Sequence, residues 1–146
     1  EAFPLTGAEI ARALEHFPDA RAVADPFLAA WESGMRRFEI GSITAEIVIG
    51  DANQTLKSWP HMADAWFLDG FSPAKNPELW SSDLMAEVAR HTAPNGTFAT
   101  YTAAGHVRRA LADAGFHVQR QPGHGRKRHM SVGVLGLAAP CISATR

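Results

Sequence analysis

Residues 64–77 are Asp-Ala-Trp-Phe-Leu-Asp-Gly-Phe-Ser-Pro-Ala-Lys-Asn-Pro, and this stretch decides the expected fold. Ala65–Leu68 is a short apolar run of the kind that forms a buried parallel strand. Asp69 follows at the carboxyl end of that strand, where ligands bind in open α/β sheets. Because Gly70 permits unusual dihedral angles and the two prolines fix φ, residues 69–77 predict an ordered loop with free polar groups. The alternative is that Asp69 caps a turn, since Asp before Gly is common there.

Strands and helices alternate along the chain from Ile43 to Phe116. The periodicity predicts helices over about 7–16, 19–32, 51–59, 81–91 and 103–114, and strands over 43–49, 65–68, 97–101, 116–121 and 130–137. Residues 94–96, Pro-Asn-Gly, predict a turn. This alternation indicates an α/β fold with a mostly parallel sheet and helices on both faces. The last two strands are joined by a short polar loop without a helix, so we expect them to pair antiparallel.

The charge of the chain is uneven along its length. Its 146 residues, 46% of them apolar, fit one ordinary domain with a core. Residues 1–104 carry 7 basic and 14 acidic side chains, whereas residues 105–146 carry 7 basic and 1 acidic. A basic end on an acidic body indicates an anionic partner, although a basic surface needed only for solubility has the same pattern.

Cysteine and histidine usage excludes several classes of site. Cys141 is the single cysteine, which excludes an internal disulfide and a Cys-based zinc site and fits a reducing compartment, so we expect a cytoplasmic protein. No apolar stretch reaches the roughly 18 residues of a membrane span. His117, His124 and His129 match no usual ligand spacing, so no metal site is expected. The chain begins with Glu1 rather than Met, which leaves an upstream segment or targeting peptide open.

Several segments together carry a family resemblance. They are Glu1-Ala-Phe-Pro-Leu-Thr, Gly50-Asp-Ala-Asn-Gln-Thr-Leu56, residues 64–77 with Trp80, Thr100-Tyr-Thr-Ala-Ala-Gly-His-Val-Arg-Arg109, Gly115-Phe116 and Gly123-His-Gly-Arg-Lys-Arg128. With these residues the chain resembles the methyltransferase domain of the MnmC family. That family methylates an aminomethyl group on the wobble 2-thiouridine of certain transfer RNAs.

The resemblance implies a Rossmann-like fold that binds S-adenosylmethionine across the carboxyl ends of its central strands, in the strand order 3-2-1-4-5-7-6. No Gly-x-Gly-x-x-Gly spacing occurs among the 12 glycines, so the glycine-rich cofactor loop is absent from these residues. We therefore interpret residues 1–146 as a partial methyltransferase domain without its first two strands, not expected to be fully active alone. The family often fuses this domain to an FAD-dependent oxidase. No residues here resemble one, so FAD is expected only with such a partner domain.

The resemblance also implies roles for three carboxylates. Glu1 matches the acidic residue that ends the second strand and accepts hydrogen bonds from the ribose hydroxyls. Asp51, followed by Ala52, matches the acidic position beside the adenine. Asp69 matches the position that faces the sulfonium methyl and the incoming amine, and it is the expected catalytic residue. From sequence alone, Glu1 is equally a chain-end charge and Asp51 equally a helix cap.

The expected substrate contacts fall into a loop and a basic set. The loop residues are Phe71, Ser72, Lys75 and Asn76, and the basic residues are Arg108, Arg109, Arg126, Lys127 and Arg128. We expect Phe71 to stack on a flipped uridine, or else to act as an apolar plug. The basic side chains are expected to bind phosphate, with a solvated basic loop as the alternative. One hydroxyl of residues 100–102 is expected in the pocket, and Trp66 and Trp80 in the core.

The leading hypothesis is S-adenosylmethionine-dependent N-methylation of the aminomethyl group on the wobble 2-thiouridine of tRNA. The alternatives are an N-methyltransferase for a small amine and a noncatalytic RNA-binding fragment of the fold.

Overall fold

The computed structural model describes residues 1–125 and 127–136. The chain divides into two compact units, Glu1–Thr55 and the residues from Leu56 onward. Arg126, Cys141 and the end of the predicted strand 130–137 lie outside the described residues. In the part that is described, no helix combines the length and apolar character needed to cross a membrane.

The first unit consists of helices and a two-stranded hairpin. Its elements are α1 (Gly7–Leu14), a 3₁₀ helix (Pro18–Ala20), α2 (Arg21–Glu32), β1 (Arg37–Ile40), β2 (Ile43–Glu46) and α3 (Ala52–Thr55). Thr6 begins α1 as predicted, because its hydroxyl accepts from the Glu9 amide while the Glu9 carboxylate accepts from the Thr6 amide. Phe27 stacks on Trp31 and contacts the Phe38 ring edge to face, which builds a small aromatic core.

The prediction of a strand over 43–49 is wrong in its length. β2 ends at Glu46 and pairs antiparallel with β1, because Gly41-Ser42 forms a two-residue hairpin connection between them. The chain then runs alongside its own first residue. The Glu1 amino group donates to the carbonyl of Val48 at 2.8 Å, and the Gly50 amide donates to the carbonyl of Glu1 at 3.0 Å. This is the hydrogen-bond pattern of a parallel pair.

The second unit contains a four-stranded sheet. Its elements are a 3₁₀ helix (Leu56–Ser58), β3 (Ala63–Phe67), a second 3₁₀ helix (Pro77–Trp80), α4 (Ser82–Arg90), β4 (Thr92–Thr100), α5 (Gly105–Asp113), β5 (Phe116–Pro122) and β6 (His129–Leu135). The strand order is β3-β4-β6-β5, with β3 parallel to β4 and β6 antiparallel to both of its neighbours. The sheet is thus mixed, because β3, β4 and β5 run in one direction and β6 runs against them. The expected α/β fold with an antiparallel last strand is confirmed, and the order corresponds to positions 4-5-7-6 of the order that the resemblance implies.

Two further local predictions need correction. The predicted turn 94–96 lies inside β4, where it is an irregularity of the ladder: Ala63 pairs with Thr92 but Ala65 already pairs with Thr97. Asn95 has a φ of +64° there. The predicted helix 51–59 is divided into α3 and a 3₁₀ helix. Ser81 caps the start of α4, because its hydroxyl accepts from the Leu84 amide.

Helices α4 and α5 cover one face of this sheet. The buried residues Phe98 and Phe116 pack edge to face, and Val107 and Leu111 of α5 are fully buried. The prediction that the whole run 65–68 is buried is wrong, since Phe67 is 87% exposed. Phe67 lies on the opposite face, over which the described residues of this unit place no helix.

Gly133 in β6 has no room for a side chain, and this leads to a prediction about stability. A Cβ there would lie 2.4 Å from the Phe98 ring and 2.9 Å from the carbonyl oxygen of His117. We expect Gly133→Ala to lower the free energy of unfolding by about 1–3 kcal/mol, the usual effect of overpacking. Urea unfolding measures this change, with the exposed Gln119→Ala on the neighbouring strand as the control. Equal stability of the two variants would contradict the packing described.

Candidate active site

Asp69 lies where the sequence predicted it, just beyond the carboxyl end of β3. The Leu68 amide donates to the carbonyl of Ala99 at 2.9 Å, which continues the parallel pairing by one residue beyond β3. The exposed carboxylate of Asp69 accepts one hydrogen bond, at 2.8 Å, from the amide of Gly70. The side chain therefore points away from the buried face of the sheet and is accessible to a ligand.

Gly70 was expected to supply unusual dihedral angles, but the structure indicates a packing role instead. Its φ is not in the left-handed region, so unusual dihedral angles are not the reason. A Cβ at this position would instead lie 2.3 Å from the Cδ2 methyl of Leu79, and that side chain would have to move. The absence of a side chain lets the turn after Asp69 pack directly on the second 3₁₀ helix.

The loop after Asp69 is ordered by hydrogen bonds, as predicted. The carbonyl of Ser72 accepts from the amides of Lys75 and Asn76, at 2.8 and 3.0 Å, which folds the loop into a turn. The buried Trp80 donates its indole N–H to the carbonyl of Phe71 at 2.8 Å. The Phe71 ring remains 75% exposed, so it is free to contact a ligand.

A pocket of about 470 Å³ lies beside Asp69 at this edge of the sheet. It is lined by Phe67, Leu68, Asp69, Ala99, Thr100, Tyr101, His124, Lys127 and Met130. Because β3, β4 and β5 run in the same direction, the residues that follow each of them meet at one edge. The pocket thus combines one carboxylate with the potential cations His124 and Lys127.

Tyr101 connects the pocket wall to the Asp69 loop. Its hydroxyl donates to the carbonyl of Gly70 at 2.7 Å, and the Lys127 ammonium lies 5.1 Å from its ring centroid. Burial, and secondarily the negative charge of Asp69, raise the pKa of Tyr101. Thr100 and Tyr101 both line the pocket, but Thr100 is buried and its hydroxyl accepts from the Thr102 amide. Thr102 is also buried, and its hydroxyl accepts from the Ala104 amide.

The basic candidates differ in where they lie. Lys127 and Arg128 are exposed in the loop between β5 and β6, and only Lys127 lines the pocket. Arg109 is exposed on α5, which begins at the same edge of the sheet. Arg108 is half-buried, and its Nε is buried without a hydrogen-bond partner among residues 1–125 and 127–136. That nitrogen is therefore out of reach of a ligand from solvent in this conformation.

The first unit carries the three remaining candidates. The parallel pairing of Glu1 with residues 48–50 places Glu1 beside the end of the segment that leads to Asp51. Asp51 accepts from the amide of Asn53 at 2.8 Å, so it does cap α3, whose first residue is Ala52. Gly50 has a φ of +145°, a conformation that favours glycine. The carboxylates of Glu1 and Asp51 are both exposed.

His124 and Trp80 lie at the site, but the sequence predicted no role there for either of them. His124 was considered only as a metal ligand, although it follows the carboxyl end of β5 just as Asp69 follows that of β3. Trp80 was expected in the core and is 3% exposed, which is confirmed, but its hydrogen bond to the Asp69 loop has no local sequence signal. Within the described ranges, no group of three or more His, Cys, Asp or Glu side chains is arranged to hold a metal ion.

The raised pKa of Tyr101 can be measured directly, because it is the only tyrosine among the 146 residues. Asp69→Asn removes a negative charge that disfavours the tyrosinate, so we expect the pKa of Tyr101 to fall. Spectrophotometric titration of tyrosinate in this chain measures the change. Asp64→Asn, at the other end of β3, is the matched control and should leave the titration as in the unsubstituted chain. Identical titration of the Asp69 variant would show that this carboxylate does not face Tyr101.

Comparisons with known proteins agree with this geometry. A family model described as S-adenosyl-L-methionine-dependent methyltransferase matches residues 18–136. The chain is 44% identical over 138 residues to a protein of Chromobacterium violaceum and 46% identical over 135 residues to one of Pseudomonas paraeruginosa. Both are named tRNA 5-methylaminomethyl-2-thiouridine biosynthesis bifunctional protein MnmC. The matches cover 91% and 89% of this chain but 21% of each relative, so the chain spans about a fifth of their length.

A solved structure is also similar. The crystal structure of MNMC2 from Aquifex aeolicus superposes with a TM-score of 0.68 at 30% identity, over 82% of this chain and 38% of that one. The predicted resemblance to the MnmC methyltransferase domain is thereby confirmed. The chain belongs to the family of S-adenosyl-L-methionine-dependent methyltransferases.

Proposed function

We propose that this chain is part of an enzyme that transfers a methyl group from S-adenosylmethionine to the aminomethyl nitrogen of wobble 2-thiouridine in tRNA. The names of the two relatives support this substrate. The observation that carries the proposal is the exposed Asp69 carboxylate at the carboxyl end of a parallel strand, in a pocket that Lys127 also lines. An acidic group for the amine and a basic group for the adjacent phosphate are what a nucleotide amine requires.

Asp69 acts on the protonation and orientation of the amine. An alkyl ammonium has no lone pair, so the nitrogen has to be neutral before it can form a bond to carbon. A carboxylate within about 2.6–3.2 Å of the amine can orient it and take its proton, directly or through water. Holding the amine in line with the methyl group supplies much of the remaining acceleration, since well-oriented reactants gain roughly 7–11 kcal/mol.

The residues present fit the methyl donor, which supplies an electrophilic methyl group when bound. We assign Glu1, Asp51 and Ala52 to its adenosine part, because ribose hydroxyls and the adenine amine need hydrogen-bond acceptors. The pairing of Glu1 beside residues 48–50 supports this assignment, since it places Glu1 alongside the segment that leads to Asp51. Asp69 is assigned to the side of the pocket that faces the methyl group.

The proposed tRNA contacts fall into a loop set and a basic set. We assign Phe71 to stacking on the flipped base, which its 75% exposure supports against a role as an apolar plug. The loop residues Ser72, Lys75 and Asn76 are assigned to the nucleotide, and the basic residues Arg108, Arg109, Arg126, Lys127 and Arg128 to phosphates. The relatives are named bifunctional, which supports a second activity beside the methyl transfer. We assign that activity, as the resemblance implies, to an FAD-dependent oxidase, fused or separate. Action in the cytoplasm is part of the same proposal.

Replacing the carboxylate tests the catalytic role of Asp69. We expect Asp69→Asn in the full-length protein to lower kcat by about 10²- to 10⁴-fold, because a positioned base contributes about that much. Transfer of a labelled methyl group to tRNA that carries the aminomethyl nucleoside measures the rate. Asp64→Asn, which keeps Asp69 intact, should retain the rate. A wild-type rate in the Asp69 variant would rule out the proposed role.

Neutralising the basic loop tests tRNA as the substrate. We expect Lys127→Gln with Arg128→Gln to weaken tRNA binding. The negative slope of log affinity against log salt concentration should become shallower by about two, one for each lost phosphate contact. Lys57→Gln with Arg12→Gln, two exposed cations outside this loop, is the charge-matched control. An unchanged slope would refute the phosphate role. Equally fast methylation of the free aminomethyl nucleoside would instead favour a small-amine methyltransferase.

A further inference from the structure

Two side chains hold the turn that directly follows Asp69. The hydroxyl of Tyr101 donates to the carbonyl of Gly70 at 2.7 Å, and the indole N–H of Trp80 donates to the carbonyl of Phe71 at 2.8 Å. The two donors come from different parts of the unit, one beyond the end of β4 and the other from the second 3₁₀ helix. Two successive backbone carbonyls are thus fixed from two sides.

The two donors also support each other. The rings of Tyr101 and Trp80 pack edge to face, with centroids 6.1 Å apart and an interplanar angle of 89°. Trp80 is almost completely buried, so its indole has a defined position. We call this pair, with its two hydrogen bonds, the Trp80–Tyr101 clamp.

The clamp reaches the Asp69 carboxylate through Gly70. The amide of Gly70 donates to Oδ1 of Asp69 at 2.8 Å, and its carbonyl is the group that Tyr101 holds. Because the amide and the carbonyl belong to the same residue, fixing the Gly70 carbonyl also restricts the direction of the Gly70 N–H that donates to the Asp69 carboxylate. Burial, together with the charge of Asp69, raises the pKa of Tyr101, which keeps its hydroxyl protonated as a donor.

We propose that Tyr101 and Trp80 are positioning residues for the methyl transfer, which hold Asp69 through the carbonyls of Gly70 and Phe71. This inference rests on the proposed function. Neither donor has to touch the reacting atoms, because each acts on the backbone that carries the carboxylate. Misplacement of a reacting group by about 1 Å can lower a rate by roughly 10²-fold, so a loosened turn has a measurable effect.

The test uses Tyr101→Phe and Trp80→Phe, which keep an aromatic ring and remove the donor. Trp66→Phe is the matched control, because the Trp66 indole donates to the hydroxyl of Thr92 at 2.9 Å in the same sheet but away from Asp69. We expect each clamp variant to lower kcat by about 10- to 100-fold and to change the KM for S-adenosylmethionine by less than about twofold. Trp66→Phe should lower the thermal midpoint but keep kcat.

A second measurement reports on the clamp without any turnover. Hydrogen exchange of the amides of residues 70–72 should become faster in both clamp variants and stay unchanged in Trp66→Phe, since exchange reports local opening. Because the two side chains hold one turn, the double variant should lose less activity than the product of the two single losses. This coupling separates positioning from a general loss of stability.

Three results would overturn the inference: unchanged kcat in both clamp variants, an equal loss of kcat in Trp66→Phe, or unchanged exchange at residues 70–72. Tyr101→Phe keeps the test valid if Trp80→Phe does not fold, because the Tyr101 hydroxyl can be removed without emptying a buried site. Failure of the proposed function has a different signature. In that case the wild-type protein does not methylate tRNA, while the exchange experiment still decides whether the clamp holds the Asp69 turn.

Discussion

The parallel pairing of β3 with β4 is the interaction on which the candidate site depends. Phe67 pairs with Ala99, and the hydrogen bond from the Leu68 amide to the Ala99 carbonyl carries the pairing to the last residue before Asp69. Two strands that run in the same direction end at the same edge, so Asp69 and Tyr101 line one pocket. A slip of one residue would turn each side chain of β3 to the other face and remove the carboxylate from that pocket.

The same topology places a basic segment of the chain at the edge of the sheet that carries Asp69. β5 is parallel to β3 and β4, so the basic loop that follows it begins at the edge where Asp69 lies. The loop is closed by hydrogen bonds from the Gly123 amide to Arg128 and from the Lys127 amide to His124. Strand direction therefore brings the acidic Asp69 and the basic Lys127 into one pocket, although they are far apart in sequence.

Much of this arrangement could be predicted from the sequence, because its signals are local. An apolar run before Asp-Gly placed Asp69, helical periodicity placed α1, α4 and α5, and the resemblance supplied the strand order. Other features depend on contacts between distant residues. The close approach of Leu79 to Gly70, the bonds from Trp80 and Tyr101 to the turn, and the pairing of Glu1 with residues 48–50 are of this kind. The β1–β2 hairpin was missed although Gly41-Ser42 is a recognisable two-residue connection.

The central claim is that the Asp69 carboxylate meets a neutral amine beside a bound methyl donor. A crystal structure of the full-length protein with S-adenosylhomocysteine and an anticodon stem-loop carrying aminomethyl-2-thiouridine tests this claim most directly. We expect the Asp69 carboxylate within about 2.6–3.2 Å of the amine nitrogen, or joined to it by one water, on the side that leaves the nitrogen open towards the sulfur. An amine held by other groups, with Asp69 turned away from both ligands, would contradict it.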